Sequence, residues 1–420
     1  MKKENGISVG TILILFLSLG VVTLTFLFLL VISGSDFGRV ENQKADELPA
    51  EENPVVVMDE KAEDSQRDSR DAEAETLPEE SGGPVQIALS FVGDVTVTRG
   101  MQETLMINDH EYDFTRAFAG VSGAFGEADL SIATLETLIN TMAPYDTYNA
   151  PPDLLEALKA IGVHHLNLAT EHMMDLGFDG LKATKLEVTR LGMEYSGYLS
   201  QSELEGIISV NGVKIAVLAY TYGLSDEGRV LTGKSGLEEI PIFSIQKVLE
   251  GIRTVRAQGA DLVVVLPHWG MKNVETVTES MRKTAQQMAE AGADLIIGTH
   301  PNVVSEAGFI ETKRADGRVH ETLVCYSIGG LLTEARNDDN AAGMILNVGI
   351  EYDPGTRNCR IRNCRPVPLY IYQDRINDRR IWRTLNVLDE EQLGQVSEPV
   401  RTKALEAMAR VKSVTGDIER

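Results

Sequence analysis

The sequence predicts an α/β domain carried behind an N-terminal apolar span and an acidic linker. Three observations carry that prediction: a run from Ile7 to Ile32 dominated by Leu, Ile, Val, Phe and Thr, an acidic stretch from Gly34 to Pro84, and short β-rich runs alternating with helical patterns from Val85 onward. The length of 420 residues accommodates two to three domains. With 63 Asp and Glu against 39 Lys and Arg, a net charge of -24 and a pI near 4.7, the chain lacks the basic surface that neutralises phosphates, which excludes nucleic acid as a partner. Three cysteines are too few for a disulfide scaffold. Cys359 and Cys364 sit five apart, so in a regular strand they point to opposite faces, and only a bulge would let them pair.

The elements follow in order. No charged residue occurs from Asn5 to Ser35, and roughly 20 apolar residues cross a bilayer core of about 30 Å. Residues 1–33 therefore read as a single membrane anchor, with lipid contacted by residues 7–32; a cleaved signal peptide is the alternative, although its apolar core is shorter. Lys2 and Lys3 precede the span and acidic residues follow it, which places the N-terminus in the cytoplasm and the main domain outside the plasma membrane. Residues 34–84 carry 16 acidic and 5 basic side chains, a composition that cannot repay the entropy of ordering, and read as a disordered tether.

Strands are expected at Ile87 to Val92, Leu130 to Leu135, His164 to Leu168, Lys214 to Tyr220, Asp261 to Leu266 and Asp294 to Ile297. Apolar spacing of three and four residues predicts helices at Pro152 to Ile161, Phe178 to Leu191, Ile242 to Gln258 and Glu279 to Ala291, two of them ending at Gly162 and Gly192. After His300 come strand patterns at Val303 to Ile310, Glu321 to Ser327, Met344 to Tyr352 and Arg360 to Tyr372, with a turn at Asp353-Pro354-Gly355. Residues 85–388 form the domain on this reading, and 389–420 a C-terminal tail with a surface helix from Glu390 to Val411. Whether the late strands complete the same fold or form an appendage is left open by the pattern.

Polar residues of metal-ligand type recur where predicted strands end: Asp94, Glu136, Glu171 with His172, His268 and His300. Ligands of α/β folds bind beyond the carboxyl ends of strands, so these scattered positions can share one pocket. Mixed carboxylate and imidazole donors suit Mn, Fe or Zn, and such a centre supports hydrolysis. Taken singly, an acid after a strand is more often a cap or turn residue. His164 and His165 fall inside a strand and read as structural, while His110 and His320 have nothing converging on them.

Read together, Phe91-Val92-Gly93-Asp94, Leu135-Glu136, Leu168-Ala169-Thr170-Glu171-His172 with Asp175 and Gly177, His268-Trp269-Gly270, Ala291-Gly292-Ala293-Asp294 through His300-Pro301, and Tyr326-Ser327-Ile328-Gly329 form an ordered series. Over residues 86 to 335 the series resembles the CapA family, capsule or poly-gamma-glutamate biosynthesis proteins with a calcineurin-like metallophosphoesterase fold. The resemblance implies a membrane-anchored extracellular protein, a four-layer α/β/β/α sandwich and a centre of two divalent ions. It also implies Asp94, Glu136, His268 and His300 as ligands and His172 as proton donor to a leaving group. Three departures touch that site: Thr170-Glu171-His172 replaces Asn-Asn-His, Lys272 replaces a Glu, and Asn302 replaces a His. Glu171 and Asn302 remain able to bind a cation, whereas Lys272 would compete with one or pair with Glu171.

Two functions follow: a metal-dependent hydrolase of phosphoester-type bonds in surface-polymer metabolism, or a non-catalytic accessory subunit of polymer synthesis or export with a degenerate site. Expected partners are polymer-synthesis membrane proteins and an anionic polymer or phosphoester. A rival motif, Gly228 to Ser235, matches Gly-x4-Gly-Lys-Ser, but Ser225-Asp226-Glu227 separates it from the preceding strand and Pro241 limits any following helix. No Gly-x-Ser-x-Gly elbow supports a serine hydrolase.

Overall fold

The computed structural model describes residues 83–108, 111–198, 207–232, 240–313, 317–376, 379–416 and 418. The span expected at 7–32, nearly all of the acidic stretch, His110 and Gly233-Lys234-Ser235 lie outside those residues. Among the described residues no helix is long and apolar enough to cross a membrane.

The chain begins one sheet, builds a second, and returns to the first. From β1 (Val85–Val95) it passes through a small hairpin, β2 (Met106–Asn108) and β3 (Glu111–Tyr112), to β4 (Leu130–Leu135), β5 (His165–Asn167) and β6 (Glu194–Ser196). β1, β4, β5 and β6 run parallel. The second sheet comprises β7 (Ile207–Val210), β8 (Val213–Thr221), β9 (Leu262–His268), β10 (Leu295–Ile297), β11 (Ala307–Lys313) and β12 (Val319–Cys325), in the order β11-β12-β10-β9-β8-β7. Then β13 (Gly330–Leu332), β14 (Ala342–Asp353), β15 (Asn358–Ile376) and β16 (Arg379–Asn386) rejoin the first sheet, whose order is β16-β15-β14-β1-β4-β5-β6 with β13 pairing β1. The late strands thus complete both sheets. The result is a mixed α/β fold in which β1, the first strand made, lies in the middle.

Helices α1 (Arg99–Leu105), α2 (Thr115–Phe118), α3 (Asp153–Ala160) and α4 (Gly177–Arg190) cover the outer face of the first sheet, burying Met101, Phe118, Leu154, Leu158 and Leu181 against Val95, Leu135 and Leu166. After α5 (Asp226–Thr232), helices α6 (Ile245–Ala257) and α7 (Glu279–Ala291) do the same for the second sheet, with Val248, Ile252, Met281 and Met288 on Val263, Val265 and Ile296. Between the sheets lies a third apolar cluster that includes Leu89, Phe91, Ile132, Ile215, Val264 and Ile297. β4 and β9 are buried along their whole length, which is why both read as continuous runs and not as alternating ones. Local signals agree: the Thr278 side chain caps α7, which ends at Gly292 with φ of 113°, and Gly162 and Gly192 end α3 and α4 with positive φ.

Three expectations need correction. The C-terminal segment is two helices, α8 (Glu390–Gln395) and α9 (Glu398–Thr415), and α9 is no mere surface element. Its small residues Ala404 and Ala407 are buried, letting it approach closely, and Val411 joins the cluster between the sheets. Cys359 and Cys364 face the same core because the β14–β15 register shifts between Gly349 and Ile350, leaving Arg362 as an extra residue that resets the alternation. All three cysteines are buried and outside any disulfide. His320 is buried, with Nε2 3.0 Å from Asp294 Oδ1, so a carboxylate does converge on it. The phosphate-loop motif fails as its sequence context indicates, because Gly228 lies within α5, where a phosphate-binding loop needs open backbone.

Candidate metal centre

The strand ends deliver their side chains by simple alternation, with one exception. In β9, Leu262, Val264 and Leu266 face the shared core, so His268 continues the same face at the end of the strand. In β4, Leu130 and Ile132 do so, and Glu136 extends that series. In β1 the inward residues are Ile87, Leu89 and Phe91, which would turn Asp94 away. A register shift between Val92 and Asp94 corrects this. Gly93 occupies the bulge, and a Cβ there would lie 1.7 Å from Gly329 O, so only glycine fits.

On the second sheet, the His268-Trp269-Gly270 turn is held by the fully buried Trp269, whose Nε1–H donates to Tyr326 O at 2.9 Å. His300 adopts φ of 97°, a conformation that costs a non-glycine residue about 1–3 kcal/mol and that persists mainly at functional sites. Its backbone N–H donates to Asp94 Oδ2 at 3.0 Å.

Ligand atoms of Glu136, Glu171, His268 and His300 all lie within 4.8 Å of one another. Glu171 Oε2 meets His268 Nε2 in a short contact and lies 3.0 Å from His300 Nδ1. His268 Nε2 is 3.3 Å from Glu136 Oε1, and its Nδ1 is 3.0 Å from Thr299 Oγ1 and 3.7 Å from Asp94 Oδ1. The Thr96 hydroxyl donates to Glu136 Oε2. Asp94 and Glu136 are buried, and Asp94 Oδ1 and Glu136 Oε1 have no hydrogen-bond partner. Two carboxylates about 4 Å apart repel by roughly 4 kcal/mol at an effective dielectric of 20, so such a group calls for a cation. Unsatisfied buried oxygens beside two imidazoles suit a divalent ion of the Mn, Fe or Zn kind.

The same crowding divides the charges. Burial and Glu136 push the Asp94 carboxyl well above the usual carboxylate range. Burial and Glu171 also raise Glu136, but the close approach and charge of His268, with Lys272, outweigh them and leave it lowered. Burial raises Glu171, yet His268 and His300 overcome it and hold that carboxyl far below the usual range. Burial opposes charge on His268, but Glu171, Glu136 and Asp94 prevail and push its imidazole up to about 10. Burial alone takes His165 the other way, to about 3, and neither of its ring nitrogens has a partner.

His172 borders the cluster, with Nε2 3.5 Å from Glu171 Oε1. Its Nδ1 donates to Asp175 Oδ2 at 2.7 Å, and the Ser225 hydroxyl donates to the other Asp175 oxygen. The ring stacks on Tyr148 with centroids 3.4 Å apart and planes at 14°. Of the six expected ligands, the structure brings Asp94, Glu136, Glu171, His268 and His300 together. Asn302, at φ of 57°, is buried with Oδ1 unpaired. Sequence reasoning missed Thr96, Tyr148, Ser225 and Thr299. Tyr148 sits at φ of 65° in a loop held by Asn149, which donates to Asn140 O and Pro144 O, and no local pattern announces that. His164 is structural, its Nδ1 2.8 Å from Ser131 Oγ.

The family described as bacterial capsule synthesis protein PGA_cap matches residues 88–335, more than half of the chain. The chain belongs to this family. Among relatives, it is 26% identical over 270 residues to the capsule biosynthesis protein CapA of Bacillus anthracis, covering 61% of this chain and 62% of that protein. It is 27% identical over 261 residues to the PGA biosynthesis protein CapA of Bacillus subtilis (strain 168), covering 59% and 63%. The chain therefore matches about three fifths of the length of these curated relatives. Among solved structures, the calcineurin-like phosphoesterase YfkN from Bacillus subtilis superposes with a TM-score of 0.39 at 13% identity, covering 79% of this chain and 99% of that one. A phosphatase from Mycoplasma pneumoniae gives 0.38 at 14% identity, covering 68% and 94%.

Proposed function

We propose that this member of the PGA_cap family is a divalent-metal-dependent hydrolase of phosphoester-type bonds in capsule or poly-gamma-glutamate metabolism. The observation that carries the proposal is the meeting of Glu136, Glu171, His268 and His300 within 4.8 Å beside the unpaired oxygens of Asp94 and Glu136. When bound there, a divalent ion supplies Lewis acidity. As an imidazolium, His172 would present an Nε2 proton to the same space as general acid, with its ring oriented by the Nδ1–H bond to Asp175. Helix, sheet, sheet and helix stacked through three apolar clusters support an α/β/β/α sandwich as the frame. The apolar span at 7–32 would anchor the chain in the plasma membrane with its N-terminus cytoplasmic and the domain outside, near membrane proteins of polymer synthesis.

One observation favours a second reading. Lys272 Nζ lies 3.8 Å from Glu171 Oε1, and an ion pair inside the donor group is what a degenerate, accessory site would also contain. Metal content and phosphodiester turnover of the purified full chain, compared with an Asp94→Ala/His268→Ala variant, separate the two. Stoichiometric metal and turnover in the wild type, both lost in the variant, are expected for the hydrolase. Metal without turnover would leave the accessory role standing.

A further inference from the structure

Lys272 enters the centre from the loop after β9. Its ammonium lies 3.8 Å from Oε1 of Glu171, an oxygen it shares with His172 Nε2, while His268 and His300 take Oε2. The side chain is 43% exposed, so its tip stands at the mouth of the site while Glu171, at 16%, lies below it.

The geometry points to a centre with one divalent ion, in which the Lys272 ammonium takes the place of a second. This inference rests on the metal-dependent reading above and narrows it. The donor atoms of Glu136, Glu171, His268 and His300 make a single compact group, and Asp94 Oδ1 adds one more unpaired acceptor beside His268. A second ion would have to share Glu171, whose other oxygen already faces Lys272, and would otherwise depend on the neutral Asn302 carbonyl. Charge gives the same answer. Counted as carboxylates, Asp94, Glu136 and Glu171 bring three negative charges, which one divalent ion and one ammonium neutralise. A second divalent ion would leave the pocket with two unbalanced positive charges and would be repelled by the ammonium beside Glu171. Asp175 does not alter that balance, because it is engaged by His172 and Ser225. The outward side of the ammonium remains open to an anionic oxygen of the substrate.

Manganese loading of the full chain tests this without reference to turnover. After removal of loosely held ion, the wild type is expected to retain one Mn per chain by elemental analysis, with the six-line electron paramagnetic resonance spectrum of an isolated ion. Lys272→Glu exchanges the ammonium for a further oxygen ligand and is expected to retain two Mn per chain, with the six-line signal lost to coupling between them. Two Mn in the wild type with a coupled spectrum would overturn the role given to Lys272 while leaving a metal centre in place, as would a single Mn in a folded Lys272→Glu chain. The wild-type spectrum decides the matter if that variant does not fold. No retained Mn in either protein would sink the metal-dependent reading itself.

Discussion

The two sheets contribute opposite charges to the centre. Asp94, Glu136 and Glu171 come from strand ends, or the loops just after them, in the sheet built around β1, whereas His268, Lys272 and His300 come from those of the sheet built around β9. An acidic lip and a basic lip therefore meet across the shared core. Each lip alone is unfavourable: the acids repel one another, and His268 is buried in surroundings that by themselves discharge an imidazole. The centre is thus a property of the packing between sheets, and a change on one lip should not mirror a change on the other.

The largest effects are expected where the lips are shaped by backbone contact. Gly93→Ala places a methyl 1.7 Å from Gly329 O, and Gly298→Ala places one 2.1 Å from Tyr326 O. Both should cost more than about 4 kcal/mol in denaturant unfolding, because backbone cannot move aside as a side chain can. A loss under about 1 kcal/mol at either site would mean that its lip is not rigidly built.

Next comes a difference of sign in metal-free protein. His268→Ala removes the buried cation and should cost about 3–5 kcal/mol, since it strands the carboxylates. Asp94→Asn removes the carboxyl least suited to ionise there, keeps an oxygen for the His300 N–H, and should cost less than about 1 kcal/mol or even stabilise. The same Asp94→Asn change should weaken metal binding by roughly 10–100-fold, measured by competition with a chelator. Equal destabilisation by the two variants would erase the distinction between the lips.

The buried histidines sharpen the comparison through pH. His165 has its folded pKa lowered to about 3, so the unfolded chain binds the extra proton below 6.5. Its neutral burial therefore contributes full stability above that pH and loses it as pH falls towards 3, by about 2 kcal/mol at pH 5. His268 is shifted upward to about 10, so in metal-free protein its contribution is complete below 6.5 and fades as pH rises through 10. Urea midpoints at pH 7 and 5 should diverge less in His165→Leu than in the wild type; an unchanged gap would contradict the assignment. The smallest effect belongs to Lys272→Gln, about 0.5 kcal/mol or less, because a pair with one partner 43% exposed is well screened.

Much of this was legible in the chain because strand ends and metal-ligand residues coincide. Asp94, Glu136, Glu171, His268 and His300 were found by position relative to apolar runs, and α7 matches its expected bounds from Glu279 to Ala291. What escaped lies where tertiary contact overrides pattern. β6 and β13 are three residues each, too short for any periodicity, and β16 carries three arginines among its eight residues. The Arg362 bulge reverses a face that alternation alone assigns wrongly. His320 and Asp294 are 26 positions apart, so their pairing needs the β10–β12 register to bring them near. The role of Tyr148 depends on a left-handed backbone that no residue preference signals.

One consequence concerns the order in which the polypeptide is made. The hydrogen-bonding edge of β1 that β14 occupies stays bare until residues 342–353 have been synthesised, well past the stretch ending at 335 that defines the family match. A chain cut at that limit would expose a long, apolar, unpaired strand edge, the template on which polypeptides stack into insoluble assemblies. Shortened versions made for crystallisation or expression should therefore keep everything through β16, and a ribosome paused before it would be holding an aggregation-prone intermediate.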